Sequence, residues 1–237
     1  MTLFTPRTLG RLSLLTGLLL FCGCNRSTTP PPAATATSTV SQPAPQSAAT
    51  TPDSRPLLVC FGDSLTAGYG ADPGETYPDY LQQDLDAAGY HYRVVNEGIS
   101  GNTTTDGLAR LPRIIAMKPA LVILELGGND GLRGQPVALA QKNLDAMLAQ
   151  LKAAKIPVVL GGITLPPNYG ADYVSNFITI YPALAKKYHT PLLGFVLDKV
   201  YGIPGSMQED GIHATAQGNQ QVAKNFLPYI TPLLQHD

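Results

Sequence analysis

Leu57-Leu58-Val59-Cys60-Phe61-Gly62-Asp63-Ser64-Leu65 is an unbroken apolar run that stops at a glycine and passes directly into two helix-capping residues. Five consecutive apolar side chains leave no alternation between core and water. Such a run reads as a strand covered on both faces, which is the situation of a parallel sheet between two layers of helices. Similar short apolar runs place further strands near 92–96, 120–126, 157–162 and 191–196, beside the first at 57–62. Between them the spacing predicts helices near 76–88, 104–117, 136–154 and 172–188, with a last one near 215–234. Leu144, Met147, Leu148 and Leu151 recur at three- and four-residue intervals and form a core-facing stripe. Pro112 interrupts a helical pattern and should kink it. Right-handed crossovers then make this a doubly wound, three-layer α/β fold with a five-stranded parallel sheet and helices on both faces. In such sheets ligands sit beyond the carboxyl ends of the strands.

The chain has 237 residues, enough for one medium domain with appendages, and 16 basic against 17 acidic residues leave a formal charge of −1. No basic stripe forms, and the lack of tryptophan with 7% aromatic residues offers no stacking platform, so nucleic acid is not an expected partner. Residues 1–24 read as an export signal, with Arg7 and Arg11 flanking the apolar run Leu12 to Leu20. Phe21-Cys22-Gly23-Cys24 resembles a bacterial lipobox in which Cys24 would be lipidated, although Phe21 and Cys22 depart from its usual Leu and small residue. Residues 25–56 hold seven of the 21 prolines among Ala, Thr and Ser, and cannot bury enough apolar surface to fold. They read as a disordered tether with a reach between about 30 Å as coil and about 100 Å fully extended. The folded domain is then 57–237. Its single cysteine, Cys60, excludes an internal disulfide and reads as a small buried hydrophobe.

Four segments carry chemistry-bearing residues: Gly62-Asp63-Ser64-Leu65, Asn96-Glu97-Gly98, Gly127-Gly128-Asn129-Asp130 and Asp210-Gly211-Ile212-His213. Ser64 follows the first strand and enters a helical turn, so its hydroxyl can be exposed beside N–H groups aimed at a developing anion. Alone, a Gly-Asp-Ser would be a helix cap. It is neither a G-x-S-x-G elbow, since Thr66 occupies the second glycine position, nor a Walker loop, since no Gly-Lys-Ser/Thr follows Gly68-Tyr69-Gly70. Asp210 and His213 are three residues apart, which lets the carboxylate meet one ring nitrogen while the other faces Ser64. No cluster of further His or acidic residues accompanies them, which argues against a metal site. His91, His189 and His236 read as surface residues. A glycine at 98 would let the backbone approach a substrate carbonyl closely, and Asp63 and Asn96 read as braces for the loops.

Taken together, these segments resemble those of the SGNH, or GDSL, hydrolases, and the run Glu125-Leu126-Gly127-Gly128-Asn129-Asp130-Gly131-Leu132-Arg133-Gly134 resembles the bacterial branch of multifunctional thioesterase I, lysophospholipase L1 and arylesterase enzymes. The resemblance extends from about Leu57 to His213 and beyond. It implies a flavodoxin-like strand order, Ser64 as nucleophile, His213 as base, Asp210 as its partner, and an oxyanion hole from Ser64, Gly98 and Asn129. It also places substrate contacts at Leu165 and Pro166, and a mobile loop at Gly131 to Pro136.

The expected activity is hydrolysis of acyl esters, small-molecule or lipid, and of thioesters, through an acyl-Ser64 intermediate, with no metal or organic cofactor. The expected setting is periplasmic, as a monomer reaching the membrane through the lipid on Cys24. Two alternatives stand beside it: a carbohydrate O-acetylesterase, for which more aromatic surface is expected, and a non-catalytic lipoprotein that uses the fold for binding.

Overall fold

The computed structural model describes residues 53–236. The export signal over 1–24 with Cys24, and the tether as far as residue 52, lie outside the described residues.

Strand β1 (Leu57–Gly62) buries every side chain after Leu57, as its apolar run requires. It pairs in parallel with β2 (Arg93–Gly98) on one side and β3 (Leu121–Glu125) on the other. β4 (Val158–Gly161) and β5 (Leu192–Leu193) complete the order β2-β1-β3-β4-β5, so the expected doubly wound sheet is present. β1 and β3 show no exposed face, whereas edge strand β2 is only partly covered. Burial pushes the Cys60 thiol up to about 12, in keeping with a packing role.

The connections are helices: α1 (Ser64–Ala67), α2 (Tyr77–Ala87), α3 (Thr104–Ala116), α4 (Gly128–Leu132), α5 (Val137–Ala153), α6 (Ala171–Ile178), α7 (Ile180–Tyr188) and α8 (Ala216–Ile230). α2 and α3 start with the same device, a Thr whose hydroxyl accepts the N–H of an Asp three residues on while that Asp accepts the Thr N–H: Thr76 with Asp79 and Thr103 with Asp106. α3 continues through Pro112. α2 packs against α8, and α3 against α5. Leu144, Met147, Leu148 and Leu151 are buried, as their spacing predicts.

The structure departs from the sequence expectation in three places. The helix expected over 172–188 is two helices, because Pro182 has no N–H for the carbonyl of Ile178, and the ladder breaks there. The strand expected over 191–196 pairs regularly only at Leu192–Leu193; beyond it the chain keeps a bond from the Val196 N–H to the Gly162 carbonyl, 2.9 Å. The last helix stops at Ile230 and passes into a short 3₁₀ turn at Thr231–Leu233, where Pro232 cannot continue the ladder.

Tyr77 of α2 and Phe226 of α8 stack with ring centroids 5.5 Å apart, both fully buried. Phe226→Ala is expected to lower unfolding stability by about 3–5 kcal/mol, read as a shifted urea midpoint with an unchanged slope.

Candidate active site

The site is built where β1 ends. Asp63 caps α1 by accepting the Leu65 N–H at 3.1 Å, which fixes Ser64 as the first residue of the helix. There the Ser64 N–H has no intrahelical acceptor and points outward. The Ser64 Oγ lies 2.9 Å from Nε2 of His213, and Nδ1 of that ring lies 2.6 Å from Oδ2 of Asp210. The three-residue spacing works because Oδ1 of Asp210 also accepts the N–H groups of Ile212, at 2.9 Å, and His213, at 3.0 Å, so carboxylate and imidazole are held by one turn of chain. Partial burial acts to raise the Asp210 carboxyl, but the His213 ring and the two backbone N–H groups outweigh it and hold the group at about 2. Asp210 is therefore charged at neutral pH, which favours the tautomer with the proton on Nδ1 and a free lone pair on Nε2.

Two residues not singled out from sequence hold this pair. The Tyr69 ring lies 4.5 Å, centroid to centroid, from that of His213. Gln208 donates from Nε2 to the carbonyls of Tyr69, at 2.7 Å, and Ala214, at 2.9 Å, while its N–H bonds the His213 carbonyl at 2.8 Å. Neither residue belongs to a recognisable motif, and only the folded chain brings them to the imidazole. The remaining histidines described, His91, His189 and His236, are exposed and away from the cavity.

Asn129 sits in α4, which Asp130 ties to the start of α3 by accepting the Thr104 N–H at 2.8 Å and its hydroxyl at 2.6 Å. The Asn129 amide donates to the Asn102 carbonyl at 3.0 Å and, at a longer 3.3 Å, to Oδ2 of Asp63. Asp63 and Asn96 brace the loops as expected: Asn96 Oδ1 accepts the Gly98 N–H at 2.9 Å.

That last bond removes Gly98 from the expected role. Gly98 closes β2 inside the sheet, does not line the cavity, and has its N–H committed to Asn96. It is a glycine for a different reason, because a Cβ there would stand 2.1 Å from the Ala67 backbone nitrogen and force α1 off the sheet. Gly101, with a φ of 82°, lines the cavity instead, in the loop after β2. A signal existed in the sequence: Gly101 stands two residues before Thr103, the α3 cap, whereas Gly98 follows Val94-Val95-Asn96-Glu97 without a glycine or proline between.

A cavity of about 380 Å³ opens beside Ser64, Asn129 and His213. Its walls are apolar and include the expected Leu165 and Pro166 with Leu132, Phe195, Leu197 and Tyr201; no Lys or Arg lines it among the described residues. Leu165 is buried against Gly131, where a Cβ would come within 2.3 Å of its side chain.

The profile of the GDSL-like Lipase/Acylhydrolase family matches residues 60–221, a span that contains Ser64, Asn129, Asp210 and His213. The chain belongs to this family. It is 46% identical over 178 residues to Esterase TesA of Pseudomonas aeruginosa, covering 75% of this chain and 89% of the relative. It is 40% identical over 181 residues to Thioesterase 1/protease 1/lysophospholipase L1 of Escherichia coli, covering 76% and 86%. Among solved structures, AlinE4, an SGNH-hydrolase family esterase, superposes with a TM-score of 0.64 at 42% identity over 76% of this chain and 97% of that one. The protein is accordingly a carboxylic ester hydrolase of the SGNH type.

Two predictions follow from this geometry. Gly98→Ala keeps the backbone N–H but overpacks α1, so it is expected to lose about 1–3 kcal/mol of stability in denaturant titration, with turnover falling through displacement of Ser64. Asp63 gives a pH signature. Burial foremost, opposed by the bonds from Leu65 and Asn129, carries its carboxyl from 3.8 up to about 6. Between those values the folded chain holds a proton that the unfolded chain has released, so the stability this group contributes is complete below the unfolded value and is lost as pH rises through the folded one. Relative to Asp63→Asn, which does not titrate, the wild-type urea midpoint should fall between about pH 4 and 7. A difference that stays constant over this range would remove Asp63 as its source.

Proposed function

We propose that Ser64 attacks the acyl carbon of an ester while His213 accepts its proton at Nε2, and that Asp210 holds and stabilises the imidazolium that results. The observation that carries this reading is the continuous relay Ser64 Oγ, His213 Nε2 and Nδ1, Asp210 Oδ2, at 2.9 and 2.6 Å, opening on an apolar cavity. The carbonyl oxygen, becoming negative, would be met by the N–H groups of Ser64 and Gly101 and by the Asn129 amide, which exchanges its longer bond to Asp63 for the substrate. Collapse of the tetrahedral intermediate expels the alcohol or thiol, which takes the proton from Nε2. Water then attacks the acyl-Ser64 ester, gives its proton to Nε2, and the Ser64 oxygen leaves with that proton as the acid is released.

The substrate we propose is an ester whose acyl chain is apolar and longer than acetyl, lying against Leu165, Pro166 and Tyr201. Mainly apolar walls without Lys or Arg among the described residues suit aryl and alkyl esters and the acyl part of lysophospholipids and thioesters better than a polar sugar. The relatives' names, esterase in one case and thioesterase and lysophospholipase in the other, support the same range. We further propose that the chain is exported, that Cys24 carries lipid, and that a monomeric domain works at the end of the tether. Metabolic labelling with palmitate checks this, with label expected on the wild type and lost in Cys24→Ser.

A fluorophosphonate probe is expected to label the wild type and not Ser64→Ala. His213→Ala should be as inactive as Ser64→Ala, and the double variant no slower, because both residues serve one proton transfer. Asn129→Ala should lower kcat by roughly 10²–10³ with KM nearly unchanged on an aryl ester. Turnover surviving in purified Ser64→Ala would overturn the assignment.

A further inference from the structure

Behind the oxyanion side of the cavity, on α3, Arg110 makes a pattern of bonds that the chemistry above does not use. Its Nη2 donates to the carbonyl of Gly62 at 2.6 Å, Nη1 to the carbonyl of Glu97 at 2.7 Å, and Nε to Oδ1 of Asn102 at 2.8 Å. The guanidinium carbon lies 4.2 Å from the centre of the Phe61 ring. A cation in this half-buried position would ordinarily be explained by a carboxylate. The nearby Glu97 carboxylate instead pairs with Arg113 at 2.9 Å, leaving Arg110 bonded to neutral oxygens.

Those three oxygens belong to the end of β1, the end of β2 and the loop that follows β2, all at the edge of the site. Gly62 is the last residue of β1, two before Ser64, and its carbonyl also accepts the Ile99 N–H at 3.2 Å. Glu97 is the penultimate residue of β2, from which the loop bearing Gly101 departs. Asn102 follows Gly101, and its carbonyl receives the Asn129 amide at 3.0 Å. One planar group thus fixes both ends of the Gly101 loop and, through Asn102, the rotamer of Asn129. Burial acts first to lower the Arg110 pKa, a cost that hydrogen bonds to three preorganised acceptors can offset.

We infer that Arg110 is a positioning residue that sets the oxyanion hole, holding the Gly101 loop and the Asn129 amide where a carbonyl oxygen becomes negative. This rests on the assignment of Asn129 and Gly101 as oxyanion donors. Arg110 touches no substrate. Its task needs a guanidinium, because the rigid fork spans three acceptors in fixed directions, whereas the three donors of a lysine diverge from one nitrogen.

The test uses the full chain with Arg110→Lys, Asn102→Ala, Asn129→Ala and the Arg110→Lys/Asn129→Ala pair. kcat and KM are measured on an aryl ester, with urea unfolding in parallel. Expected for Arg110→Lys is a loss of about 10–100-fold in kcat with KM within about threefold, in a variant still folded. The paired variant should fall short of the product of the two single losses, since one works through the other. Should Arg110→Lys not fold, Asn102→Ala, which removes only the Nε acceptor, must still lower kcat rather than raise KM. A folded Arg110→Lys with kcat within twofold of wild type, while Asn129→Ala is impaired, overturns the role of Arg110 and leaves the oxyanion assignment standing. A rise in KM alone reassigns Arg110 to substrate binding and overturns it too. An Asn129→Ala that loses no kcat overturns the oxyanion assignment and this inference with it.

Discussion

The parallel pairing of Gly62 with Gly98 on one side and with Glu125 on the other ends three strands at one level. Because parallel strands all present their carboxyl ends on the same edge, the loops that follow must emerge side by side. Ser64 follows β1 by two residues, Gly101 follows β2 by three, and Asn129 follows β3 by four. Register, set by the apolar runs of the sheet, therefore fixes the spacing between Ser64, Gly101 and Asn129. Gly62 is at the centre of this arrangement and has no room for a side chain, since a Cβ would fall 1.9 Å from the Thr66 hydroxyl oxygen.

Beneath that edge lies a buried polar layer. Glu125 is fully buried, and its Oε2 accepts the Thr66 hydroxyl at 2.7 Å, which in turn meets the Tyr77 hydroxyl at 3.1 Å. Burial first, and the negative charge of Asp63 second, hold the Glu125 carboxyl well above the usual carboxylate range. The upward push on Glu125 beneath the Ser64 turn opposes placing two charged carboxylates in one dry region. The core and the site are thus continuous: Glu125, the last residue of β3, bonds Thr66 of α1, the helix that begins at Ser64.

The sheet, its parallel order and the four segments of the site were legible because buried strands and motif residues leave strong local marks. Ser64, Asn129 and His213 reach one cavity, Asp210 stands behind the His213 ring, and Leu165 and Pro166 line the wall. The misplacement of Gly98 came from a strand boundary. Ending β2 at 96 makes Gly98 a loop residue, whereas the sheet continues to Gly98 and moves the loop to the next glycine. Pro182 was the overlooked mark that divides the helix expected over 172–188. α1 and α4, at four and five residues, are too short to show a period at all. Arg110 and Tyr69 act across sequence separations that no local pattern encodes, and Gln208, near His213 in the chain, reaches the Tyr69 carbonyl across 139 residues.

The Asp210–His213 pair does not ride on the sheet. Asp210 and His213 belong to the stretch between β5 and α8, which also supplies Phe195, Leu197 and Tyr201 to the cavity wall. A pairing of Met207 with Ala214 and the bonds of Gln208 fasten it locally. Part of the apolar wall and the imidazole proposed as base consequently lie on one piece of chain. Remodelling this wall toward bulkier acyl groups must leave the imidazole in place, whereas changes at Leu165 act on α4 and Asn129 through its packing on Gly131. The pocket therefore has two walls tied to different polar groups, one to the His213 imidazole and the other to the Asn129 amide.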